Sequence, residues 1–276
     1  MRIGLFRYLL LVLIVVAASA SARHAYALFA SSDVHACAAL TVAHNIRSLA
    51  LPHEDADIVC MVTRGVSQTM RSKLTQANIH VRNVEARARL RGYFEHAMIK
   101  MEPLRWYEYD RIIVLDADVF IQHSLDHLFL LPDVPLAAPV ANWESEACIT
   151  AALFVVQPSK EVWQKVLALI PKYARLQKSE MVLLNELWEH RIGNCRILPE
   201  VLILPSRYLT LSTELTNPEP YHTDPARLLH ETIVFHFSGG HGKPWNPNTT
   251  GMNAATLQLY KSYMAGWQCA GYHREM

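Results

Sequence analysis

Asp116 and Asp118 are the residues whose types and spacing most clearly suggest chemistry. They form an Asp-Ala-Asp tripeptide that directly follows a largely apolar run, Arg111 to Leu115. Two carboxylates this close repel each other unless a cation neutralises them, and divalent ions such as manganese accept oxygen ligands. The pair therefore predicts a metal site, provided that the surrounding elements place both side chains in a cleft.

The same tripeptide occurs a second time, as Asp55-Ala56-Asp57, and serves as an internal comparison. It precedes an apolar strand pattern, Ile58 to Thr63, instead of following one. Carboxylates in that position are ordinarily solvated turn residues, so we expect no functional site there.

His236 is the candidate third ligand, because it interrupts a final apolar strand pattern, Thr232 to Phe237. A lone histidine there would more often be a core residue, but a glycine-rich turn follows it directly. The backbone of Gly239 and Gly240 can approach a phosphate closely, and Lys243 would add positive charge for the same anion. The whole run therefore predicts an anion site beside the metal site.

The elements that must position these residues alternate between strand and helix patterns, which predicts a mostly parallel sheet with helices on both faces. Arg111 to Leu115 is the expected central strand, and in such sheets ligands bind at the carboxyl ends of the strands. Strands are predicted at Ala25–Ala30, Ile58–Thr63, Val81–Val84, Leu136–Val140, Leu153–Gln157 and Val201–Leu204. Helices are predicted at Val34–Ala50, Ser67–Ala77, Tyr93–Glu108, Lys160–Tyr173, Ser179–His190 and Ala254–Gln268.

Composition limits the class of protein. The chain has 276 residues, 51% of them apolar, which is enough for a sizeable core and excludes intrinsic disorder. The formal net charge is +1, so no basic face is expected and nucleic acid is an unexpected partner. We found no repeat or composition shift, and residues 23–276 are predicted to form a single catalytic domain.

Residues 1–22 have the layout of a secretory signal peptide, with Arg2 and Arg7 before an apolar run and small residues after it. An uncleaved short signal anchor is the alternative, and it would be the chain's one attachment to a membrane. Five scattered cysteines leave at least one thiol unpaired, and Cys60 is predicted to be a buried one. The sequon at Asn248 is consistent with a lumenal loop.

At these residues the sequence resembles the glycosyltransferase family 8 enzymes, the glycogenin-like and galactinol-synthase-like retaining transferases. The resemblance covers roughly residues 25–245 and implies the A-type glycosyltransferase fold, with a Rossmann-like nucleotide-binding half. The residues that carry it are Ala25-Tyr26, Ser31-Ser32-Asp33, Lys100, the run Arg111 to Asp118, Ala137-Ala138-Pro139, Trp143, the run Phe154 to Pro158, and the run His236 to Trp245.

The resemblance implies a manganese ion on Asp116, Asp118 and His236 and a UDP-sugar donor. The signal-peptide layout implies the lumen of the secretory pathway, with the Golgi as the expected compartment. The implied catalytic residues are Asp118, Lys243 and Glu180, with Glu180 orienting donor or acceptor hydroxyls. The implied nucleotide-sugar contacts are Phe29, Ser31, Ser32 and His35 on the uridine side, then Lys100, Asp116, Ala117, Asp118, Gly239, Gly240 and Lys243. The acceptor, a glycan, lipid, polyol or protein, stays open.

The sequence departs from the family where relatives contact the donor sugar. Thr150-Ala151-Ala152 replaces the usual Asn-Ser-Gly or Asn-Thr-Gly, Glu180-Met181 replaces Asp-Gln, and Val140 replaces an acidic residue. Donor identity among hexoses and hexuronic acids therefore stays open.

Two alternative functions remain. A transferase-like protein that binds nucleotide or glycan without turnover would also explain these departures. A phosphatase of the haloacid dehalogenase type also begins with an apolar run and Asp-x-Asp. It fits poorly, because position 120 is Phe and paired aspartates are missing further along.

Overall fold

A seven-stranded sheet forms the centre of the computed structural model, which describes residues 22–51, 55–85, 94–141, 143, 149–188, 201–216, 224–238 and 242–269. The strands are β1 (His24–Ala30), β2 (Asp57–Val62), β3 (His80–Asn83), β4 (Arg111–Leu115), β5 (Val119–Ile121), β6 (Leu136–Pro139), β7 (Leu153–Val156), β8 (Val201–Leu204), β9 (Thr210–Leu211), β10 (Val234–His236), β11 (Gly242–Lys243) and β12 (Asn246–Pro247). The large sheet has the order β3-β2-β1-β4-β7-β6-β8, and only β7 runs antiparallel to its neighbours.

Helices cover both faces of this sheet. They are α1 (Asp33–Leu49), α2 (Gln68–Gln76), α3 (Phe94–Ala97), α4 (Lys160–Leu176), α5 (Glu180–Leu187), α6 (Ser212–Thr216), α7 (Pro225–Glu231) and α8 (Ala254–Ala265), with a 3-10 helix at Met98–Arg105. Apolar residues of α1, α2 and α8 pack on one face, and those of the 3-10 helix, α4 and α5 pack on the other. Alternate residues of β1 enter the two cores, as strand geometry requires. The predicted mostly parallel α/β fold is confirmed.

Strand β4 lies at the middle of the sheet, between β1 and β7, and all five of its residues are buried. Its bounds are those predicted from the sequence. The tripeptide that begins at Asp116 therefore emerges at the carboxyl edge of a central strand, where the sheet ends and a ligand can approach.

A second, three-stranded sheet with the order β5-β10-β9 lies beyond this edge. Strand β10 is shorter than the strand predicted at Thr232–Phe237, and it is the middle strand of this small sheet. His236 lies opposite Val119, and the backbone N–H of Phe237 donates to the carbonyl of Asp118 at 3.0 Å. This pairing brings His236 to the tripeptide, a contact that the sequence pattern did not specify.

The predicted helix Tyr93–Glu108 is the least accurate prediction. The segment forms one α-helical turn, α3, and continues as the 3-10 helix Met98–Arg105, which contains Pro103. Proline has no N–H to donate to the preceding turn, so a regular α-helix is not favoured there. The C-terminal helix also ends at Ala265, three residues before the predicted end.

One disulfide links Cys37 of α1 to Cys269 in the C-terminal segment. Cys60 is a free, buried thiol, as predicted, and burial raises its pKa to about 12. Cys148 and Cys195 lie outside the described residues, as do residues 1–21, so the signal peptide stays a prediction. Within the described ranges, we find no helix that combines the length and apolarity needed to cross a membrane.

Candidate active site

Asp116 and Asp118 are held in place by the backbone on either side of them. The N–H of Asp116 donates to the carbonyl of Ala152 at 3.0 Å, in the segment that leads into β7. Asp118 is held by the bond from Phe237 described above. The two carboxylates thus lie between the large sheet and the small one.

His236 completes a group of three potential metal ligands. Its Nε2 lies 3.6 Å from Asp116 Oδ2 and 3.4 Å from Asp118 Oδ1. One ligand atom from each of the three residues lies within 4.8 Å of the others. The opposite ring nitrogen, Nδ1, is buried and has no hydrogen-bond partner among the described residues. The structure therefore brings together the three residues that the sequence predicts as metal ligands.

Lys243 reaches this group from the β11–β12 hairpin. Its Nζ donates to Asp118 Oδ2 and, at 2.6 Å, to the carbonyl of Phe237. The side chain is 41% exposed, in contrast to 17% for Asp118. The ammonium group is thus bonded to the carboxylate, while part of the lysine side chain is exposed to solvent.

Lys100 provides a second, buried positive charge. Its Nζ lies 2.6 Å from Asp116 Oδ1 and 2.5 Å from Glu180 Oε1. Glu180 is only 3% exposed, and its other oxygen, Oε2, has no hydrogen-bond partner among the described residues. Lys100 therefore links the first aspartate to the first turn of α5, where Glu180 lies.

The pKa values of the two aspartates shift in opposite directions. Burial raises the pKa of Asp116, and the neighbouring Asp118 and Glu180 add to this effect against the opposing charge of Lys100. Burial alone would also raise the pKa of Asp118, but His236 and Lys243 outweigh it and hold that pKa below its usual range. Without a further cation the site stabilises one ionised aspartate at the expense of the other.

The predicted uridine contacts lie at the end of β1. Ser32 caps α1, Ser31 Oγ lies 2.9 Å from His35 Nδ1, and the His35 ring packs edge-on against Trp245. Burial lowers the pKa of His35, with the charge of Asp118 opposing the shift. Phe29 precedes this group, with its ring 6.3 Å from that of His96. Ser31, His35 and the Asp118–Lys243 pair thus lie close together.

A cavity of about 360 Å³ adjoins Ser31, and most of the residues that line it were not predicted from the sequence. Gly65 is required there, because a Cβ at that position would lie 2.3 Å from the carbonyl oxygen of Ser31. The lining also includes Thr63, Arg64, Val84, Glu85 and His96. Several of these directly follow β2 and β3, so their position after a strand was the available signal.

Two tyrosines of α8 also support the site and were missed. Tyr260 Oη donates to the carbonyl of Gly242 at 2.8 Å, next to Lys243, and Tyr263 Oη donates to the carbonyl of Ala117 at 3.4 Å. The sequence predicted an amphipathic helix here, but periodicity alone does not reveal which buried hydroxyl reaches which carbonyl.

The residues that replace the family's sugar contacts serve the backbone. Thr150 is buried, and its Oγ1 accepts from the N–H of Ala152 at 3.0 Å. Val140 forms a β-bridge with Ile149, whose N–H and carbonyl are both bonded to Asn185. The segment formed by Val140 and Thr150 to Ala152 is therefore less polar than the donor-sugar contacts that the resemblance implies. Met181 is partly buried beside it.

In the second Asp-x-Asp tripeptide, Asp57 is the first residue of β2, so it belongs to the strand and not to the predicted solvated turn. Asp57 accepts from Tyr109 Oη at 2.7 Å and forms an ion pair with Arg23 at 3.3 Å. Gly239 and Gly240, the predicted phosphate-contacting glycines, lie outside the described residues.

The chain is similar to a plant glucuronosyltransferase and to glycogenin. It is 27% identical to UDP-glucuronate:xylan alpha-glucuronosyltransferase 1 of Arabidopsis thaliana over 177 residues, or 62% of this chain and 26% of the relative. It is 25% identical to Glycogenin-1 of Caenorhabditis elegans over 232 residues, or 80% of this chain and 51% of the relative. The chain thus spans about a quarter of the plant protein's length and half of the nematode protein's. No profile of a known protein family matches it.

Solved structures show the same fold. The galactosyltransferase LgtC, solved with donor and acceptor sugar analogues, matches with a TM-score of 0.62 over 89% of this chain and 97% of that one, at 19% identity. The bifunctional glycosyltransferase WbbM matches with a TM-score of 0.65 over 92% of this chain and 51% of that one, at 12% identity. The predicted A-type fold is confirmed by these structures, and the predicted family resemblance by the sequence relatives.

Proposed function

We propose that this chain, which resembles the family 8 glycosyltransferases, moves a hexosyl or hexuronosyl group from a UDP-sugar to an acceptor hydroxyl. The observation that carries the proposal is the convergence of Asp116, Asp118 and His236 with Lys243 at the carboxyl end of β4. A cation and a lysine side by side are suited to a diphosphate, the charged part of such a donor.

The three convergent side chains suit manganese. Two carboxylates and an imidazole offer oxygen and nitrogen ligands of the kind that this ion accepts. Asp116, Asp118 and His236 would hold the ion, and the opposed pKa shifts of the aspartates support this, because more positive charge would let both ionise. A bound divalent cation would stabilise the negative charge that develops on the departing UDP.

The lysines and Glu180 have separate proposed roles. Lys243 binds the diphosphate and stabilises the same developing charge. Lys100 orients both Asp116 and Glu180 by pairing with them, close to the donor phosphate or sugar. The unpartnered Oε2 of Glu180 is the atom that would orient a donor or acceptor hydroxyl.

Retention of anomeric configuration is proposed by front-face attack. The acceptor hydroxyl would attack the anomeric carbon on the side of the leaving UDP, and the donor phosphate would take the hydroxyl proton. This needs no enzyme nucleophile. A covalent sugar adduct trapped on an enzyme carboxylate would contradict it.

The nucleoside is proposed to occupy the cavity beside Ser31. Phe29, Ser32 and His35 would complete its uridine side, as the resemblance implies. The end of β1 supports this assignment, because the cavity adjoins Ser31 there and Ser31 contacts His35. Backbone N–H groups of Gly239 and Gly240 are proposed to bind the phosphates.

The donor sugar has to be found by a screen of glucose, galactose, glucuronic acid and N-acetylated donors. Thr150, Ala151, Ala152 and Val140 give the sugar wall a less polar character than the family pattern. The acceptor is proposed to be a glycan, lipid, polyol or protein hydroxyl.

We place the enzyme in the secretory lumen, with the Golgi as the proposed compartment. The leader predicted at residues 1–22 supports this location, and so does the disulfide between Cys37 and Cys269, since disulfides persist in oxidising compartments.

The proposal is tested by calorimetric titration of the purified protein with UDP, with and without manganese. We expect manganese-dependent binding that Asp118→Asn abolishes and that the control Asp55→Asn, in the other Asp-x-Asp tripeptide, leaves unchanged. Release of UDP in the donor screen would then establish turnover. No UDP binding in either condition would refute the proposed function.

A nucleotide- or glycan-binding protein without turnover is the second candidate, favoured by the replaced residues Thr150, Ala151 and Ala152. Manganese-dependent UDP binding combined with no UDP release from any donor and acceptor pair would support it.

A further inference from the structure

The sequence contains one Asn-x-Ser/Thr sequon, Asn248-Thr249-Thr250, and the proposed catalytic site does not use it. A sequon is informative only where the fold exposes it and the compartment supplies the modifying chemistry. The exposure of the sequon bears on the first condition, and the disulfide bears on the second.

The fold exposes all three residues of the sequon. They follow β12, where Asn246 is also exposed, whereas Pro244 and Trp245 in the turn of the hairpin are buried. Gly251, next in the chain, has a positive φ of 76°, and a Cβ placed there would meet nothing within 4 Å. The exposed stretch 248–251 therefore presents the sequon to solvent.

The local backbone folds the sequon into a compact turn. The N–H of Thr250 donates to Asn248 Oδ1 at 3.2 Å, and the N–H of Met252 donates to the carbonyl of Thr249 at 3.2 Å. Side chains of asparagine form such turns with the residue two positions later. The turn brings the asparagine and the hydroxyl residue of the sequon together on the surface.

An independent observation concerns the compartment. The Cys37–Cys269 disulfide joins residues 232 positions apart in the sequence, and such a bond persists in the oxidising environment where N-glycosylation takes place. The disulfide and the exposed sequon thus both favour an oxidising, lumenal compartment, and they do so through different residues and different chemistry.

We propose that Asn248 is an N-glycosylation site, in the exposed stretch that follows the hairpin carrying Lys243. The Nδ2 of Asn248 forms a bond to the anomeric carbon of a lipid-linked oligosaccharide diphosphate. The bond from that carbon to the diphosphate oxygen breaks, the lipid diphosphate leaves with the electron pair of that bond, and the proton that the amide loses passes to solvent. The proposal rests on the lumenal location included in the proposed function.

The glycan would lie close to the donor site without entering it. Asn246 pairs with Lys243 across the hairpin, and Asn248 follows two residues later. A residue of extended chain spans about 3.5 Å, so Asn248 is roughly 7 Å along the chain from the paired position. Because the sequon is exposed, we expect the glycan to leave UDP binding unchanged.

The test is expression of the full chain in a eukaryotic secretory host, followed by peptide N-glycosidase in heavy-oxygen water and peptide mass spectrometry. We expect conversion of Asn248 to a labelled aspartate, and one gel mobility step that the glycosidase removes. Asn248→Gln and Thr250→Ala should both lose that step. The matched control Thr249→Ala leaves the sequon intact and should keep it.

Unmodified Asn248 in the secreted protein would overturn the proposal, and so would a mobility step that persists in Asn248→Gln. Retention of the chain in the cytosol would overturn both this site and the lumenal location. Manganese-dependent UDP binding by Asn248→Gln separates these outcomes from a failure of the proposed catalytic site.

Discussion

The ammonium group of Lys243 donates to the carboxylate of Asp118, which is also a proposed metal ligand. The same lysine is proposed to bind the diphosphate of the donor. Its contacts with Asp118 and with the carbonyl of Phe237 use two of the three N–H donors of Nζ, so only one donor is left for a diphosphate oxygen while both contacts remain. We therefore expect the lysine to exchange partners when the cation and nucleotide bind.

Lys243→Met should have opposite effects on the two ligands. Removing the lysine takes away a competing positive charge from Asp118, so the affinity for manganese alone should rise, by about 10-fold for one charge-assisted hydrogen bond. The affinity for UDP in saturating manganese should fall by a similar factor. Manganese titration by electron paramagnetic resonance and UDP titration by calorimetry measure the two effects.

Lys165→Met is the matched control, because Lys165 forms an exposed pair with Glu161 on α4 and makes no described contact with the site. It should change neither affinity. Weaker manganese binding by Lys243→Met would show that the lysine supports the metal site instead of competing with the ion.

How far the sequence predicted this arrangement depends on the range of the contacts. Asp116 and Asp118 follow a five-residue apolar strand, so local pattern was enough to place them at the edge of the sheet. The contact of His236 with them depends on strand pairing across more than one hundred residues, which periodicity does not encode. The apolar strand pattern and the glycine-rich turn after it predict His236 as a candidate ligand, but they do not show which strands pair to bring it there.

The supporting residues were less predictable. Tyr260 and Tyr263 contact the site through single hydrogen bonds to backbone carbonyls, and such contacts leave no local sequence pattern. Lys100 was expected beside the donor, and the structure adds its pairing with Asp116 and Glu180, which the sequence pattern did not specify. The site's internal charge pairs follow from packing, which a single sequence does not reveal.

Glu180→Gln should separate turnover from binding. The amide keeps the size of the side chain but loses the charge that Lys100 and a substrate hydroxyl would use. We expect the catalytic rate to fall by about 100-fold, the order of effect seen when a positioning group is lost, while UDP affinity stays within a factor of three. Steady-state UDP release and calorimetry provide the two values.

Glu186→Gln on the same helix is the control, since Glu186 pairs only with Lys172 in the described contacts and is a third exposed. It should leave both values unchanged. Equal losses of rate and UDP affinity in Glu180→Gln would instead place Glu180 at the nucleotide.

Tyr260→Phe should weaken UDP binding without unfolding the protein. The phenyl ring still packs against Phe237, whereas the hydrogen bond that holds the carbonyl of Gly242 is lost. One neutral hydrogen bond contributes about 1 kcal/mol, so we expect UDP affinity to fall by roughly fivefold if the bond positions the hairpin. Calorimetry with UDP and a denaturant titration measure the two effects.

The control for this variant is Tyr107→Phe, which removes the hydroxyl of an exposed tyrosine far from the hairpin in sequence. It should change neither UDP affinity nor stability. A loss of stability in Tyr260→Phe with no change in UDP affinity would show that the bond serves the fold alone.

The pH dependence of stability should reveal the burial of His35. Burial lowers its pKa below the usual 6.5, so the unfolded chain binds a proton at a higher pH than the folded protein does. Where the unfolded state binds more protons, stability rises with pH. His35 therefore does not lower the free energy of unfolding above pH 7, and its destabilising effect grows as the pH falls through 6.5 towards the pKa of the folded state.

His35→Gln should remove this effect, so the unfolding free energy of the variant should decline less than that of the wild type between pH 7 and pH 5. Denaturant titrations at a series of pH values measure the difference, and parallel profiles would show that His35 titrates normally in the folded protein.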